Sequence, residues 1–397
     1  MKGTQRLEIL SESQTLALTK LVRQLQAEGR DVVGLTLGEP DFDTPDHIRE
    51  AAMAAIREGF THYTPVAGIP ALRQAIASSY HSRGGSDYKA ANVVVSNGAK
   101  QSVVNVVMSL LDPGDEVVIP SPYWVSYIEI FKMAEAKVSV VPTSLEDGFK
   151  MTSAQLEAAI TPRTKMVLLN SPNNPTGAMY SRQEAEGLVA VLDRHPEVFL
   201  VSDEIYEHIW FESPSVSFAS FPSIRDRLVI VSGVSKGFAM TGWRIGYSLS
   251  PLWISELCEK YQGQITSGAS SVSQRAALAA FSGTMEPTER MRLQFRERRD
   301  FMEKQLNQIP LLGSYAPAGA FYFYPDLGNF LGKVTPKGEI IRDIDQLAEY
   351  LLMEGGVAVI TGTAFGTDRH VRISYAYSME VLSKGMERLA NALNALR

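Results

Sequence analysis

Six short apolar runs, separated by stretches of helical periodicity, limit what this chain can fold into more than any other feature. They are NVVVS (92–96), EVVIP (116–120), KVSVV (137–141), KMVLLN (165–170), VFLVS (198–202) and LVIVS (228–232). Such alternation builds βα units around a mainly parallel sheet. The runs are apolar throughout, as expected of strands covered on both faces. Each ends in a polar or turn residue, and in open α/β sheets ligands bind beyond the carboxyl ends of the strands. Chemistry is therefore expected in SNGAK, SPYW, NSPNNPTG, SDEIY and SGVSK.

Upstream, an amphipathic stretch from Leu16 to Ala27 ends at Gly29, and VVGLTLG reads as a strand that breaks at Gly38. Pro45, after Thr44, marks a helix start. Beyond about residue 285 the texture changes to a long charged helix (TERMRLQFRERRDFMEKQL), a strand region with Gly and Pro (APAGAFYFYPDLG) and a final strand–helix pair. A chain of 397 residues has room for a second domain there.

Net charge is −6 and no basic block occurs, so a nucleic-acid footprint is not expected. No apolar run reaches the roughly 18 residues of a membrane span. The start, MKGTQRLEIL, lacks the apolar core of a signal peptide, and a cytoplasmic location is the expectation. Cys258 is the single cysteine, read as a buried, inert thiol; it excludes an intrachain disulfide and a cysteine-rich metal site, and no metal is expected.

The stretch VSGVSKGFAMTGWRIGY (231–247) carries the most specific pattern. Lys236 follows a strand among Gly233, Val234, Ser235 and Gly237, small neighbours that leave room for an adduct on a nucleophilic amine. Taken alone it reads as readily as a solvated surface lysine. Arg244 lies eight residues on, and its planar fork matches a phosphate as well as it matches a surface carboxylate. Together the two fill G-V-S-K-x-x-A-M-x-G-x-R-I-G, a long pattern with two cations at fixed separation.

That segment resembles the pyridoxal-phosphate lysine motif of the class I aminotransferases. The resemblance extends over nearly the whole chain through GEPDFDTP, YTPVAGIPALR, LDPGDEVVIPSPYWVSY, ITPRTK, NSPNNPTG, VSDEIYEH and HVRISYA, in the order of the prokaryotic aspartate aminotransferase-like branch. It implies an α/β fold of the aspartate aminotransferase type. A large cofactor-binding domain (47–284) with a mainly parallel sheet would be joined by a smaller α+β domain made from both termini (1–46 and 285–397). It also implies pyridoxal 5′-phosphate, a homodimer with shared active sites, and roles for particular residues.

In that resemblance Lys236 binds the cofactor aldehyde and Arg244 its phosphate, with Gly98, Ala99 and Lys100 adding donors at a helix N-terminus. Asp203 keeps the ring nitrogen protonated, so that the ring can hold electrons. Asn174 and Tyr206 donate to the ring 3′ oxygen, Trp124 stacks on the ring, and Tyr63 reaches the phosphate of the partner subunit. Arg372 clamps the substrate α-carboxylate beside a main-chain contact from Gly38, while Lys100 and Thr15 meet a distal carboxylate. Read without the motif, Asp203 could be a helix cap, Asn174 a turn former, and Tyr206 or Trp124 core aromatics. One departure stands out. Many relatives carry a phosphate-binding serine three residues before the lysine, where this chain has Gly233, leaving Ser232 or Ser235 to compensate. The distal arginine of the animal-type enzymes has no evident counterpart, and Arg275 only lies near that region.

The resemblance implies an aminotransferase acting between L-aspartate or glutamate and 2-oxoglutarate or oxaloacetate by ping-pong kinetics, Lys236 serving as the general base. Prephenate or aromatic amino acids are alternative substrates, and a pyridoxal-phosphate lyase is an alternative reaction on the same scaffold. A dinucleotide dehydrogenase is not expected, because no G-x-G-x-x-G opens any βα unit.

Overall fold

The computed structural model describes residues 3–12, 14–85 and 87–397. Twelve strands are found among them: β1 (Val33–Gly34), β2 (Val93–Ser96), β3 (Glu116–Ser121), β4 (Lys137–Pro142), β5 (Thr164–Asn170), β6 (Phe199–Asp203), β7 (Leu228–Gly233), β8 (Gly246–Leu249), β9 (Tyr322–Phe323), β10 (Val357–Ala358), β11 (Ile360–Thr361) and β12 (Val371–Ser374). The six apolar runs are β2 to β7, each within a residue of its expected limits. They join β8 in a seven-stranded sheet of order β2-β8-β7-β6-β5-β3-β4, parallel except where β8 pairs with β7 and β2. The mainly parallel sheet is therefore as expected.

Successive residues of a strand point to opposite faces. In β5, Val167 and Leu169 enter one apolar cluster and Met166 and Leu168 the other. Leu228 and Ile230 of β7 divide from Val229 and Val231 in the same way. One face is closed by Val103, Val106 and Val107 from the helix Ala99–Leu110, the other by Leu188 and Leu192 from the helix Arg182–Leu192. Burying each such side chain contributes about 1.5–3 kcal/mol, which is why these runs need no polar face.

The edge strand β4 departs from that reading. Lys137 and Pro142 are exposed and Val140 is 41% exposed, because β4 has a neighbour on one side only and its covering is incomplete. The expected strand VVGLTLG is also shorter than read: β1 pairs with β10 over two residues, after which the chain runs irregularly into the site. The helix at Pro45 is present as Asp46–Arg57 with Pro45 as its N-cap residue.

A third apolar cluster gathers Phe295 of the long helix Glu286–Leu306, Phe321 to Phe323, Val371, Ile373 and Leu389 of the final helix Met379–Asn394, with Val33 and Leu35 from near the start of the chain. It also takes in Tyr206, Ile209 and Phe211, which follow β6, so it meets the core of the large sheet at that sheet's carboxyl edge. Cys258 is buried in the helix Leu252–Ile265, and burial pushes its thiol up to about 12, consistent with an inert role. Among the described residues no helix is long and apolar enough to cross a membrane.

Candidate active site

Strand register sets the site. Asn170 ends β5 beside Asp203 at the end of β6, and β7 ends at Gly233, three residues before Lys236. Beyond these ends lies a cavity of about 570 Å³ lined by Thr15, Gly38, Ala99, Lys100, Trp124, Asn174, Asp203, Tyr206, Lys236, Arg244 and Arg372. Residues expected from eight separate segments thus face one space. Gly98 stands just behind Arg244, and Tyr63 is apart from the cavity and fully exposed. Arg275 does not line it; it pairs with Glu58 at 3.0 Å and stacks over Phe60.

Lys236 Nζ donates to the Gly38 carbonyl at 2.6 Å. Burial pushes its amine down to about 8, with Arg244 and Arg372 acting in the same direction and Glu39 and Asp203 opposing. Asp203 is buried, and burial raises its carboxyl to about 6 against the lowering effect of two donors, Tyr127 Oη at 2.6 Å and the Ile205 N–H at 3.1 Å. Asn170 Nδ2 donates to the Asp203 carbonyl at 2.9 Å, while its Oδ1 accepts from the Asn174 N–H at 2.8 Å, tying the β5 loop to the end of β6.

Arg372 projects from β12 and is only 2% exposed. Its guanidinium donates to Asn174 Oδ1 at 3.1 Å and the Thr36 carbonyl at 2.7 Å and lies 4.5 Å from the Tyr322 ring centroid. Its Nε has no partner, and no carboxylate of the described residues pairs with it. Buried guanidinium groups are costly without an anion, so this one is prepared for a ligand. Tyr206 and Tyr322 share a hydroxyl hydrogen bond of 2.8 Å, and burial raises both phenols.

At the other end, Gly98 (φ 87°) caps the helix Ala99–Leu110, whose first N–H groups lack intrahelical acceptors. A Cβ at Gly98 would collide with the Arg244 guanidinium, and one at Gly246 would collide with the Gly98–Ala99 backbone. Only glycine at both positions lets the loop and β8 approach closely enough to bring Arg244 beside those N–H groups. Arg244 itself is left-handed (φ 57°, ψ 52°), a conformation that costs a non-glycine residue about 1–2 kcal/mol. Lys100 Nζ lies 5.0 Å from the Trp124 ring centroid, and burial lowers its amine.

These features fit pyridoxal phosphate: helix N–H groups and an arginine fork, steadied by the Thr241 and Asn97 carbonyls, for the phosphate, a buried carboxyl for the ring nitrogen, two hydroxyls and an amide near a depressed lysine. Gly233 also has a physical reason. A Cβ there would lie 2.8 Å from Gly246 Cα and from the Ile245 carbonyl. Ser232 is turned away, its Oγ donating to Glu207 at 2.8 Å, whereas Ser235 lines the cavity. Gly233→Ser is expected to cost about 1–3 kcal/mol by overpacking β7 against β8, read as a lower midpoint in urea with the slope unchanged.

Tyr127, Tyr322, Thr36 and Asn170 escaped the sequence reading. Tyr127 sits one helical turn after Trp124, a spacing that places both on one side of a helix start, and their rings meet edge to face at 5.2 Å. Tyr322 and Thr36 carry no local mark, since each acts through a partner distant in the chain, and Asn170 joins its local bond to Asn174 with a distant one to Asp203.

Comparison with known proteins agrees with this geometry. The family model for aminotransferase class I and II matches residues 30–389. The chain is 46% identical over 379 residues, 95% of each chain, to an aspartate/prephenate aminotransferase of Cereibacter sphaeroides. It superposes with a TM-score of 0.97 and 41% identity on the aspartate aminotransferase of Rhizobium meliloti, covering 100% of both chains. With the Thermus thermophilus aspartate aminotransferase solved with maleate, the TM-score is 0.92 at 40% identity, over 99% of this chain and 100% of that one. By sequence, fold and the residues gathered at its sheet edge, the chain belongs to the class I and II aminotransferase family.

Proposed function

We propose that the protein moves an amino group between L-aspartate or L-glutamate and 2-oxoglutarate or oxaloacetate, with pyridoxal 5′-phosphate and ping-pong kinetics. The observation that carries this reading is Arg372, a buried guanidinium without an anionic partner among the described residues, lining the same cavity as a lysine whose amine is pushed down to about 8.

When bound, pyridoxal phosphate supplies an aldehyde for a primary amine and a protonated ring that accepts electrons released at Cα. Arg372 holds the substrate α-carboxylate, and its bond to Asn174 Oδ1 leaves the Asn174 amide N–H groups free to donate into the cavity. Lys236 Nζ, neutral in appreciable fraction near neutral pH, takes the Cα proton and later returns it. Asp203, fixed by Tyr127 and Ile205, would pair as a carboxylate with the protonated ring nitrogen, and that cation would offset the cost of its burial. Tyr206, held by Tyr322, supplies a hydroxyl to the ring oxygen.

The distal end is assigned to Lys100 and Thr15, which line the cavity. The maleate of the Thermus structure is a dicarboxylate, which favours acidic substrates here. Relatives named aspartate/prephenate aminotransferase support prephenate as a second amino acceptor. A homodimer is proposed because Tyr63, which matches a tyrosine that meets the partner subunit's phosphate, is fully exposed and does not line its own chain's cavity. We also assign residues 47–284 to a large domain and 1–46 with 285–397 to a small one; the two clusters on the sheet faces fall within the first range, and the third draws mostly on the second, with Tyr206, Ile209 and Phe211 crossing over.

Arg372→Lys is expected to lower kcat/KM at least about tenfold for every amino donor, because each presents the α-carboxylate that the fork grips. A donor panel on the yellow holoenzyme checks substrate choice: aspartate and glutamate should bleach the cofactor band. Bleaching by alanine or phenylalanine alone would overturn the dicarboxylate reading.

A further inference from the structure

We propose that Lys20 and Arg23 form an outer cationic rim that selects doubly charged substrates, with Arg23 a specificity-determining residue. The inference rests on the dicarboxylate reading above.

The helix Gln14–Ala27 presents Thr15, Thr19 and Arg23 at intervals of four, one face of a helix, and that face together with Lys20 lines the cavity. Neither the Lys20 nor the Arg23 side chain has a hydrogen-bond or ion-pair partner among the described residues. Arg57 and Arg342 are exposed and likewise lack a side-chain partner among the described residues, but of these three only Arg23 lines the cavity; Arg49, Arg182 and Arg290 pair with Asp46, Glu186 and Glu286. Two long cations left unpaired at one opening, on a chain of net charge −6, are placed where a ligand's negative charge can meet them.

The charges lining the cavity sharpen the point. Six basic residues line it (Lys20, Arg23, Lys100, Lys236, Arg244, Arg372) against two acids, Glu39 and Asp203. Glu39 already accepts from Thr241 Oγ1 at 2.8 Å. The cofactor and the α-carboxylate engage Lys236, Arg244 and Arg372. Lys100 is the inner match for a second carboxylate. Lys20 and Arg23 then remain as surplus positive charge at the opening, and a charged cleft with low-dielectric walls raises the local concentration of opposite charge by roughly 10–10³-fold. An amino acid with one carboxylate is a zwitterion of zero net charge and is not drawn in by this field, whereas a dicarboxylic one carries net negative charge.

The test uses the holoenzyme and single-turnover loss of cofactor absorbance with aspartate and with alanine, at about 0.01 M and about 1 M salt, where screening lengths are roughly 30 Å and 3 Å. Glutamine keeps helix propensity, so Arg23→Gln and Lys20→Gln preserve the helix. Arg23→Gln should lower kcat/KM for aspartate about three- to tenfold at low salt and less than about twofold for alanine, raising KM rather than lowering kcat. The double variant should lose more. Arg23→Lys should retain most of the selectivity, and high salt should erase the difference. An unchanged aspartate value, or an equal loss with alanine, overturns the inference. Wild-type protein unreactive toward aspartate and glutamate defeats the dicarboxylate reading itself, a failure visible before any variant is compared.

Discussion

Lys236→Ala yields a folded protein whose turnover is lower by about 10⁴-fold or more. Two functions are lost at one atom, covalent attachment of the cofactor and proton transfer at Cα, and general acid–base transfer alone is worth about 10²–10⁴-fold. Lys100 cannot substitute: its amine lies over Trp124, across the cavity from the Gly38 carbonyl that Lys236 meets. Stability moves the other way. The amine is pushed down from its usual 10.5 to about 8, so between those values the unfolded chain binds more protons and the cofactor-free protein gains stability as pH rises. Below about 8 the penalty of the buried charge is fully present, and removing the amine relieves it. At pH 7 the cofactor-free variant should therefore melt no lower than the wild type. Steady-state rates, melting temperature and the mass of protein treated with borohydride and then denatured check the three parts. Activity within a hundredfold of wild type would sink the assignment of Lys236.

Asp203→Asn has the second largest effect, a loss of about 10²–10⁴-fold in turnover, because an amide cannot keep the ring nitrogen protonated. Its shape is preserved: the Ile205 N–H still finds Oδ1, and the Tyr127 hydroxyl, which donates to Oδ2 in the native protein, turns to accept from the amide NH2 that replaces it. Burial raises the Asp203 carboxyl to about 6, so the native cofactor-free protein binds more protons than the unfolded chain between the usual 3.8 and that value. Stability therefore falls as pH rises through this window, and above about 6 the whole cost is felt, a few kcal/mol. The variant without cofactor should be the more stable protein above pH 6, and the advantage should shrink at pH 4. With cofactor bound the order should reverse, since the ring cation then pairs with the carboxylate. Melting curves at two pH values with and without cofactor test this. A variant that turned over within tenfold of wild type would remove Asp203 from the mechanism.

Much of this was legible in the linear chain. Runs such as KMVLLN and LVIVS are apolar at every position because both faces of the sheet are covered, so their limits could be read to within a residue. The polar residues just beyond them, Asn174, Asp203 and Lys236, then had to lie along one edge. Where covering fails, as on β4, the same reasoning missed the exposure of Val140, for nothing local distinguishes an edge from a centre. Gly233 looked like a missing serine until β8 was seen packed against it.

The pairings that make the site chemical belong to the tertiary structure alone. Lys236 meets the Gly38 carbonyl and Arg372 meets Asn174 across 198 residues in each case, and Tyr206 meets Tyr322 across 116. Side-chain periodicity records which face of its own element a residue occupies, and that information decays within a turn or two. Which faces then meet is decided by how two separate cores stack at the carboxyl edge of the sheet. The amino-acid sequence alone determined the strands, their edge and the chemical groups along it; only packing decided that, among the described residues, a buried arginine would be left without an anion and two helix cations without partners.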